Sequence, residues 1–215
     1  MYTLTLLFQK LSNLFSTSTC LLCNKGPSTL CEHCISLLVH SREKKDPFTF
    51  IFLSYKDVRT KRILGLAKYE HRTSLYTPLI MSWLKEDDIS LLLSKEKDTS
   101  LLVGMPMHRW RLIFRGYNHA EKIVSIISKE SGIRADSHLL EKKLYTSRQA
   151  LLSRNERIHA QKGSFKVKQG EDMKLLGKRV ILVDDIMTTG STFNEAKKVL
   201  LLAGAREVVC IALAH

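Results

Sequence analysis

The segment VILVDDIMTTGST, residues 180–192, limits the possible folds of this chain more than any other stretch. Its first four residues are apolar and rich in β-branched side chains, which is typical of a strand buried on both faces of a sheet. Residues 193–202 then repeat apolar side chains at helical spacing, beginning just after Thr192. A buried strand that leads directly into a helix is half of a βαβ unit, so the segment predicts a parallel sheet covered by helices.

The same alternation of patterns continues from about Phe48 to the end of the sequence. Strand-like apolar runs cover residues 100–103, 179–183 and 208–214, and helical periods cover residues 117–131 and 193–203. We therefore predict an α/β fold with a largely parallel sheet flanked by helices. The charged residues 85–100 are interpreted as a helix end and a loop before the first central strand.

The N-terminal part of the chain has a different character. Residues 3–16 place Leu and Phe at helical spacing, which predicts an amphipathic helix that packs on the domain or, alternatively, binds a partner. A cysteine-rich segment follows at residues 20–34. Because 215 residues can form one substantial core and one small accessory unit, we predict two parts, residues 1–45 and residues 46–215.

Two CxxC pairs, separated by seven residues, stand in the sequence CLLCNKGPSTLCEHC. Their cysteines are Cys20, Cys23, Cys31 and Cys34. Two such pairs can surround a zinc ion tetrahedrally, and four thiolates leave no open position, so the predicted metal is structural. The alternatives are two disulfides, which need an oxidising compartment, and a redox pair, which needs only one motif. His33 is interpreted as a bystander, and Cys210 as a small core residue of a strand.

The charge of the chain is strongly basic, with 34 Lys and Arg against 21 Asp and Glu. Residues 105–180 hold 17 of these basic residues and only 7 acidic ones. Such an excess attracts polyanions, either nucleic acid or a phosphorylated metabolite, although a basic surface also simply aids solubility. Aromatic residues do not interleave with the basic ones, which argues against a stacking platform for single strands.

No apolar run approaches the roughly 18 residues that a membrane-spanning helix requires. The first residues lack a basic segment before the apolar ones and a small-residue cleavage site, so we predict no secretory signal and a cytoplasmic protein.

The loop after the strand at residues 180–183 combines two carboxylates with small hydroxyl side chains. The residues concerned are Asp184, Asp185, Thr188, Thr189, Gly190, Ser191 and Thr192. Backbone N–H groups at the start of the following helix can bind a phosphate, and the glycine allows a close approach. The acids can accept hydrogen bonds from vicinal hydroxyls. A sugar with a 5-phosphate and free 2,3-hydroxyls therefore fits both the acid pair and the hydroxyl loop. An acid pair that only caps a helix is the alternative, but it leaves the hydroxyl loop unexplained.

VDDIMTTGST resembles the phosphoribosyl-pyrophosphate motif of type I phosphoribosyltransferases, an acid pair followed by TTGxT. RGYNHAEKIV, TSRQALLSRNER with GSFKV behind it, and the cysteine pairs together resemble the ComF family, the competence protein F group. The resemblance spans nearly the whole chain, although His119 stands where family members generally have Gln. It implies a type I phosphoribosyltransferase-like parallel sheet flanked by helices, with a small N-terminal zinc module, and a role in natural transformation.

The resemblance also implies further ligand residues. The loop after the strand at 101–103 corresponds to the family's pyrophosphate loop and contains Met107, His108 and Arg109. Four more arginines are candidates for binding ligand or DNA phosphates: Arg115, Arg148, Arg154 and Arg157. Magnesium would accompany the phosphoribosyl pyrophosphate, held by the ligand's own oxygens and water. The catalytic residues, including a general base, are unknown from the sequence.

Three hypotheses therefore remain open. The first is a ComF-type protein that binds phosphoribosyl pyrophosphate and, catalytic or not, handles single-stranded DNA with DNA-uptake proteins. The second is an ordinary salvage or biosynthetic phosphoribosyltransferase. The third is a non-catalytic adaptor whose zinc module and basic surface bind DNA and protein partners. The sequence does not distinguish an enzyme from a binding protein.

Overall fold

A computed structural model describes residues 19–41, 46–70, 72–108, 112–113, 116–142 and 164–215. Within them the helices are α1 (Glu32–Ser36), α2 (Val58–Tyr69), α3 (Tyr76–Trp83), α4 (Asp87–Ser94), α5 (His119–Ser131) and α6 (Ser191–Leu202). The strands are β1 (Thr49–Leu53), β2 (Ser100–Gly104), β3 (Leu140–Lys142), β4 (Phe165–Val167), β5 (Arg179–Ile186) and β6 (Glu207–Ala214). None of the helices in this part of the chain has the length and apolar character needed to cross a membrane.

Four parallel strands form the central sheet, in the order β1-β6-β5-β2. Helices connect its consecutive parallel strands, as a parallel sheet requires. β3 and β4 form a separate antiparallel pair. The predicted α/β fold with a parallel sheet flanked by helices is therefore confirmed.

The two faces of the sheet are covered by different helices. On β5, Ile181 and Val183 belong to one apolar cluster and Val180 and Leu182 to the other, as strand alternation requires. The first cluster includes residues of α2, α3, α4 and α5, and the second includes residues of α6. All four of these β5 side chains are fully buried, which confirms a central strand buried on both faces.

The cysteine segment packs into the first of these clusters. Cys20, Leu30 and Ile35 are buried there together with the sheet residues Phe52 and Leu53. Backbone hydrogen bonds continue the contact, because the N–H of Ser54 donates to the carbonyl of Val39 at 2.7 Å. The boundary proposed near residue 45 thus separates segments that share one apolar core.

One expectation about the elements was wrong, and three strands were not predicted. Residues 85–100 contain helix α4, where Asp87 and Asp88 occupy the first turn and suit its positive end. Ile89, Leu92 and Leu93 of this helix are buried, but its eight residues are too short for a clear periodic signal. Strand β1 and the β3–β4 pair lay outside the predicted strands. The amphipathic helix predicted for residues 3–16 lies outside the described residues.

Candidate functional site

The site lies at the carboxyl edge of the sheet, where β2 and β5 end side by side. Gly104 pairs with Val183, and the N–H of Met105 donates to the Val183 carbonyl at 2.7 Å. The segments that follow these two strands therefore leave the sheet from neighbouring positions. Open parallel sheets bind ligands at this edge. The structure thus brings the predicted phosphate loop and the start of the predicted pyrophosphate loop to one place.

Gly104 allows the close packing of this edge on helix α5. A Cβ atom at Gly104 would lie 3.2 Å from the backbone nitrogen of Glu121. Asn118 caps the helix by accepting a hydrogen bond from the N–H of Ala120, and its side-chain amide donates to the Met105 carbonyl at 3.0 Å. The helix start consequently fixes the backbone that leads into residues 105–108.

The acid pair lies within the end of β5 rather than in the loop after it. β5 extends to Ile186, and Asp184 pairs with Ala212 of β6. This corrects the expectation that the strand ends at Val183. Successive strand residues point to opposite faces, so the carboxylates of Asp184 and Asp185 start from opposite sides of the sheet edge. Asp185 is buried, and Asp184 is partly buried.

Asp184 is unusually difficult to ionise. Burial and, to a lesser extent, the neighbouring charge of Asp185 raise its pKa to about 8. The N–H of Asp185, which donates to Asp184 Oδ1 at 2.9 Å, acts in the opposite direction, as do the charges of Lys68 and Lys142. In the ligand-free protein near neutral pH, Asp184 therefore holds a proton much of the time.

Two lysines that the sequence analysis did not single out belong to this site. Lys68, in the last turn of α2, places Nζ 2.9 Å from Asp185 Oδ2. Lys142, at the end of β3, is close enough to Asp184 to lower its pKa. Both residues come from elements distant in sequence from the motif, and a lysine near a helix end looks like an ordinary solvated residue. No sequence signal could have identified them.

The hydroxyl loop is open to solvent. Thr188, Thr189 and Ser191 are exposed, and the Thr189 and Ser191 hydroxyl oxygens lie 2.9 Å apart. Gly190 has a φ of +80°, in the left-handed region, and is the N-cap of α6. The helix thus begins at Ser191, two residues earlier than expected, so Ser191 and Thr192 are its first residues. Backbone N–H groups of a first helical turn have no partners within the helix.

The predicted pyrophosphate loop is described only in part. Met107 and His108 are partly buried beside the end of β2. Arg109 lies outside the described residues, as do Arg115, Arg148, Arg154 and Arg157. Their assignment to ligand or DNA phosphates therefore stays a prediction from the sequence.

A cavity of about 710 Å³ adjoins this loop. Its lining includes Pro106, Met107, Asn118, Glu121, Lys142 and Lys166. Lys142 lines this cavity and also acts on Asp184 through its charge, so the cavity and the acid pair are adjacent. This volume is large enough for the bulkier part of a small ligand whose phosphate lies at the hydroxyl loop.

His119, which stands where members of the ComF family generally have Gln, is a core residue. It is 1% exposed, and its Nδ1 lies 2.9 Å from the hydroxyl of Tyr76. The ring of Tyr117 packs edge-on against it, with 4.8 Å between the ring centroids. The Tyr117 hydroxyl in turn donates to the carbonyl of Ala67 in α2 at 2.8 Å. This aromatic cluster joins α5 to the helices α2 and α3.

The four predicted metal ligands lie together. The sulfur atoms of Cys20, Cys23, Cys31 and Cys34 are within 4.8 Å of one another. The Sγ atoms of Cys23 and Cys31 are 3.8 Å apart, and the N–H of Cys31 donates to Cys20 Sγ at 3.4 Å. Four thiols converging on one point fit the tetrahedral requirements of a structural metal such as zinc.

The thiols of this cluster differ in acidity. Burial raises the pKa of Cys20, but hydrogen bonds from the N–H groups of Cys23, Cys31 and Leu22 outweigh it and lower the value to about 6. Burial and the neighbouring thiols raise the pKa of Cys34 to about 12. The lowered pKa of Cys20 makes one thiolate available near neutral pH, which suits metal capture, because a bound cation can then displace the proton of a thiol such as Cys34. Cys210 is buried in β6 away from this cluster, as predicted.

Comparison with known proteins identifies relatives of the chain. The model of the phosphoribosyl transferase domain family matches residues 138–215. Competence protein F of Haemophilus influenzae is 31% identical over 114 residues, which is 53% of this chain and 49% of that protein. Competence protein ComFC of Streptococcus pneumoniae is 32% identical over 139 residues, covering 65% of this chain and 56% of its own length.

The DNA utilization protein YhgH of Escherichia coli K12 is 29% identical over 107 residues, 50% of this chain and 45% of that protein. The chain thus spans about half the length of the curated relatives it matches. Among solved structures, a glutamine phosphoribosylpyrophosphate amidotransferase from B. subtilis superposes with a TM-score of 0.38 and 18% identity, over 64% of this chain and 26% of that one. A hypoxanthine phosphoribosyltransferase from Staphylococcus aureus gives a TM-score of 0.38 and 11% identity, over 64% and 61%.

Proposed function

We propose that this chain, a member of the competence protein F and YhgH family at about 30% identity over half its length, binds phosphoribosyl pyrophosphate at the carboxyl edge of its sheet. The observation that carries the proposal is the junction of β5 and α6, where an acid pair, exposed hydroxyls and a left-handed glycine precede a helix start. This junction lies within residues 138–215, which match the phosphoribosyl transferase domain.

Each part of the junction has a chemical role in the proposal. The 5-phosphate accepts hydrogen bonds from the first N–H groups of α6 and from the hydroxyls of Thr188, Thr189, Ser191 and Thr192. Asp184 and Asp185 accept hydrogen bonds from the ribose hydroxyls. The pyrophosphate lies against Met107, His108 and Arg109. Magnesium would accompany the ligand and would neutralise part of its charge.

If the protein transfers the phosphoribosyl group, its residues supply position and charge rather than covalent chemistry. A nucleophile would displace pyrophosphate at the anomeric carbon, and the cavity beside residues 105–108 is the place for that nucleophile. Glu121 and Lys142 line this cavity and can form hydrogen bonds to polar groups of an acceptor. In the same proposal, the four clustered cysteines would hold a structural zinc ion.

The biological part of the proposal is a role in natural transformation, in which a cytoplasmic protein handles incoming single-stranded DNA together with DNA-uptake proteins. Two relatives are named competence proteins and another is named a DNA utilization protein, which supports this part. The basic excess of residues 105–180 supports the adaptor alternative equally. An ordinary salvage or biosynthetic phosphoribosyltransferase remains the second alternative.

Calorimetry with phosphoribosyl pyrophosphate and Mg²⁺ tests the binding proposal. We expect saturable binding at one site per chain, and at least a hundredfold loss in Asp184→Asn with Asp185→Asn, since each charged hydrogen bond contributes roughly 1.5–3 kcal/mol. The double variant Asp87→Asn with Asp88→Asn is the matched control, because these adjacent acids are exposed in the first turn of α4. Absence of binding by the unmodified protein would refute the proposal.

A second measurement separates transfer from binding. Pyrophosphate release is followed while nucleobases and small amines are offered one at a time with phosphoribosyl pyrophosphate. Release that depends on one acceptor and is absent in the Asp184, Asp185 double variant identifies an enzyme. Binding without release over the whole series identifies a ligand-binding adaptor.

A further inference from the structure

Lys68 is the cation nearest to the acid pair in the described part of the chain. Its Nζ lies 2.9 Å from Asp185 Oδ2, and the two side chains are only 15% and 10% exposed. An ion pair with so little solvent is not weakened by water and salt to the extent that a surface pair is. Removing one partner leaves the other charge poorly solvated, so the pair is costly to break from one side.

Helix α2 is held firmly enough to place this ammonium group. At its N-terminus, Asp57 accepts hydrogen bonds from the N–H of Arg59 in the helix and, at 3.0 Å, from the N–H of Val39 in the neighbouring segment. At its C-terminal end, the Ala67 carbonyl accepts the hydrogen bond of the Tyr117 hydroxyl. Ile63, Leu64 and Ala67 are fully buried. The backbone of Lys68 is therefore fixed from both ends of the helix.

The proposed ligand creates a need for such a cation. Phosphoribosyl pyrophosphate is a polyanion, and two adjacent carboxylates at the sugar position would repel it. A lysine paired with one carboxylate cancels that charge while leaving the second oxygen of the carboxylate available as an acceptor. Asp184 and Asp185 are faced by two lysines, Lys68 from α2 and Lys142 from β3. Of these, Lys68 is the one in direct contact.

We propose that Lys68 is a positioning residue of the ligand site, whose ammonium group holds the Asp185 carboxylate oriented toward the ribose hydroxyls. The inference rests on the proposed function, because it takes phosphoribosyl pyrophosphate as the ligand. It goes beyond that function in giving α2, outside the residues that match the phosphoribosyl transferase domain, a part in ligand binding.

The test compares Lys68→Met and Lys68→Arg with Lys61→Met, an exposed lysine of the same helix. Affinity for phosphoribosyl pyrophosphate with Mg²⁺ is measured by calorimetry from pH 6 to pH 9. Lys68→Met should bind the ligand about tenfold more weakly at pH 7, a loss of binding free energy that corresponds to a shift of one pKa unit. The loss should shrink as pH rises, because Asp184 without the Lys68 charge that lowers its pKa ionises only at higher pH. Lys68→Arg should restore most of the affinity, and Lys61→Met should match the unmodified protein.

The pH dependence distinguishes positioning from simple attraction. A lysine that only attracts the polyanion would give a loss that is constant over this pH range, and that result would overturn the inference. Unchanged affinity in Lys68→Met, with binding by the unmodified protein, would also overturn it while leaving the proposed function standing. Circular dichroism checks the fold, and Lys68→Gln serves in place of Lys68→Met if the latter does not fold.

A ligand-free measurement keeps the two proposals separable. The carboxyl carbons of Asp184 and Asp185 are followed by NMR as pH is changed, in the unmodified protein and in Lys68→Met. Upward displacement of the acid-pair titration in the variant supports Lys68 as the partner of the pair even if no ligand binds. An unchanged titration overturns the inference, whatever the calorimetry of the unmodified protein shows.

Discussion

The N–H of Asp185 donates a hydrogen bond to the side chain of Asp184, its neighbour in the chain, at 2.9 Å. This contact favours the charged form of Asp184, yet burial and the charge of Asp185 outweigh it and raise the Asp184 pKa to about 8. The surroundings of Asp184 therefore oppose its ionisation. Groups with strongly displaced pKa values gather at functional sites more often than elsewhere.

The first prediction concerns the stability of the fold as a function of pH. Between about pH 4 and pH 8 the native protein holds a proton on Asp184 that the unfolded chain has released. The contribution of this group to the free energy of unfolding therefore falls as pH rises, by at most about 1.4 kcal/mol per pH unit for one proton. Asp184→Asn should remove this dependence and be more stable than the unmodified protein at pH 8.

Urea unfolding at pH 5, 6.5 and 8 measures the effect. Asp98→Asn, an exposed acid near the start of β2, is the control and should not alter the pH dependence. A difference between Asp184→Asn and the unmodified protein that is the same at all three pH values would contradict the raised pKa.

The second prediction concerns the cysteine cluster. Protein purified without chelator should contain about one zinc ion per chain, and chelation should lower the melting temperature, because a structural metal contributes its binding free energy to folding. Cys31→Ser should lose the zinc. Cys210→Ala should keep it, since Cys210 is buried in β6 outside the cluster.

Elemental analysis and thermal unfolding give the two readouts. Zinc below about 0.1 per chain in chelator-free protein would rule out a resident zinc ion.

The third prediction concerns Gly190, whose φ of +80° lies in the left-handed region. A Cβ atom there would meet only Met187 Sδ at 3.7 Å, so the cost of substitution comes from the backbone and not from crowding. Gly190→Val should destabilise the fold by about 1–2 kcal/mol, whereas Gly190→Asn should cost less because Asn tolerates this conformation.

Urea unfolding of both variants measures the difference. Equal stability of the two would argue against the left-handed conformation. Because Gly190→Val disturbs the backbone, loss of ligand binding in that variant would not by itself identify a phosphate site.

The fourth prediction rests on the sequence, because residues 143–163 lie outside the described part of the chain. The protein should bind single-stranded DNA weakly and without sequence preference through basic residues of segments 109–115 and 148–168. The logarithm of the affinity should fall with the logarithm of salt concentration, with a slope of about −0.7 per phosphate neutralised. Phosphoribosyl pyrophosphate should weaken this binding more than chloride of equal ionic strength.

Fluorescence anisotropy of a labelled oligonucleotide, at several salt concentrations and with or without the sugar phosphate, gives the result. Arg148→Gln with Arg154→Gln should weaken binding and lower the slope, while Arg62→Gln, at an exposed position of α2, is the control. No binding at low salt would remove the DNA role from this surface, and indifference to the ligand would place the two sites apart.

Local patterns in the sequence were sufficient for the class of fold. The apolar run at residues 180–183 indicated a buried strand, because it is short and rich in β-branched side chains. The cysteine pairs were similarly informative, since each CxxC pair brings two sulfurs close together, and the structure places all four sulfurs within 4.8 Å of one another. Short elements were missed because local patterns need enough residues to establish a period, and α4 and the β3–β4 pair contain too few.

The motif residues of the candidate site were also identifiable from the sequence, because the acid pair and hydroxyls follow one another in a single segment. Only the tertiary structure determined their surroundings. Lys68 lies more than a hundred positions before Asp185, and the packing of α2 against Tyr117 brings the two together. The ionisation of Asp184 is likewise a tertiary property, since burial and the charges of Asp185, Lys68 and Lys142 together set its pKa. Charges act through space, so they depend on how the chain folds back on itself and not on the order of its residues.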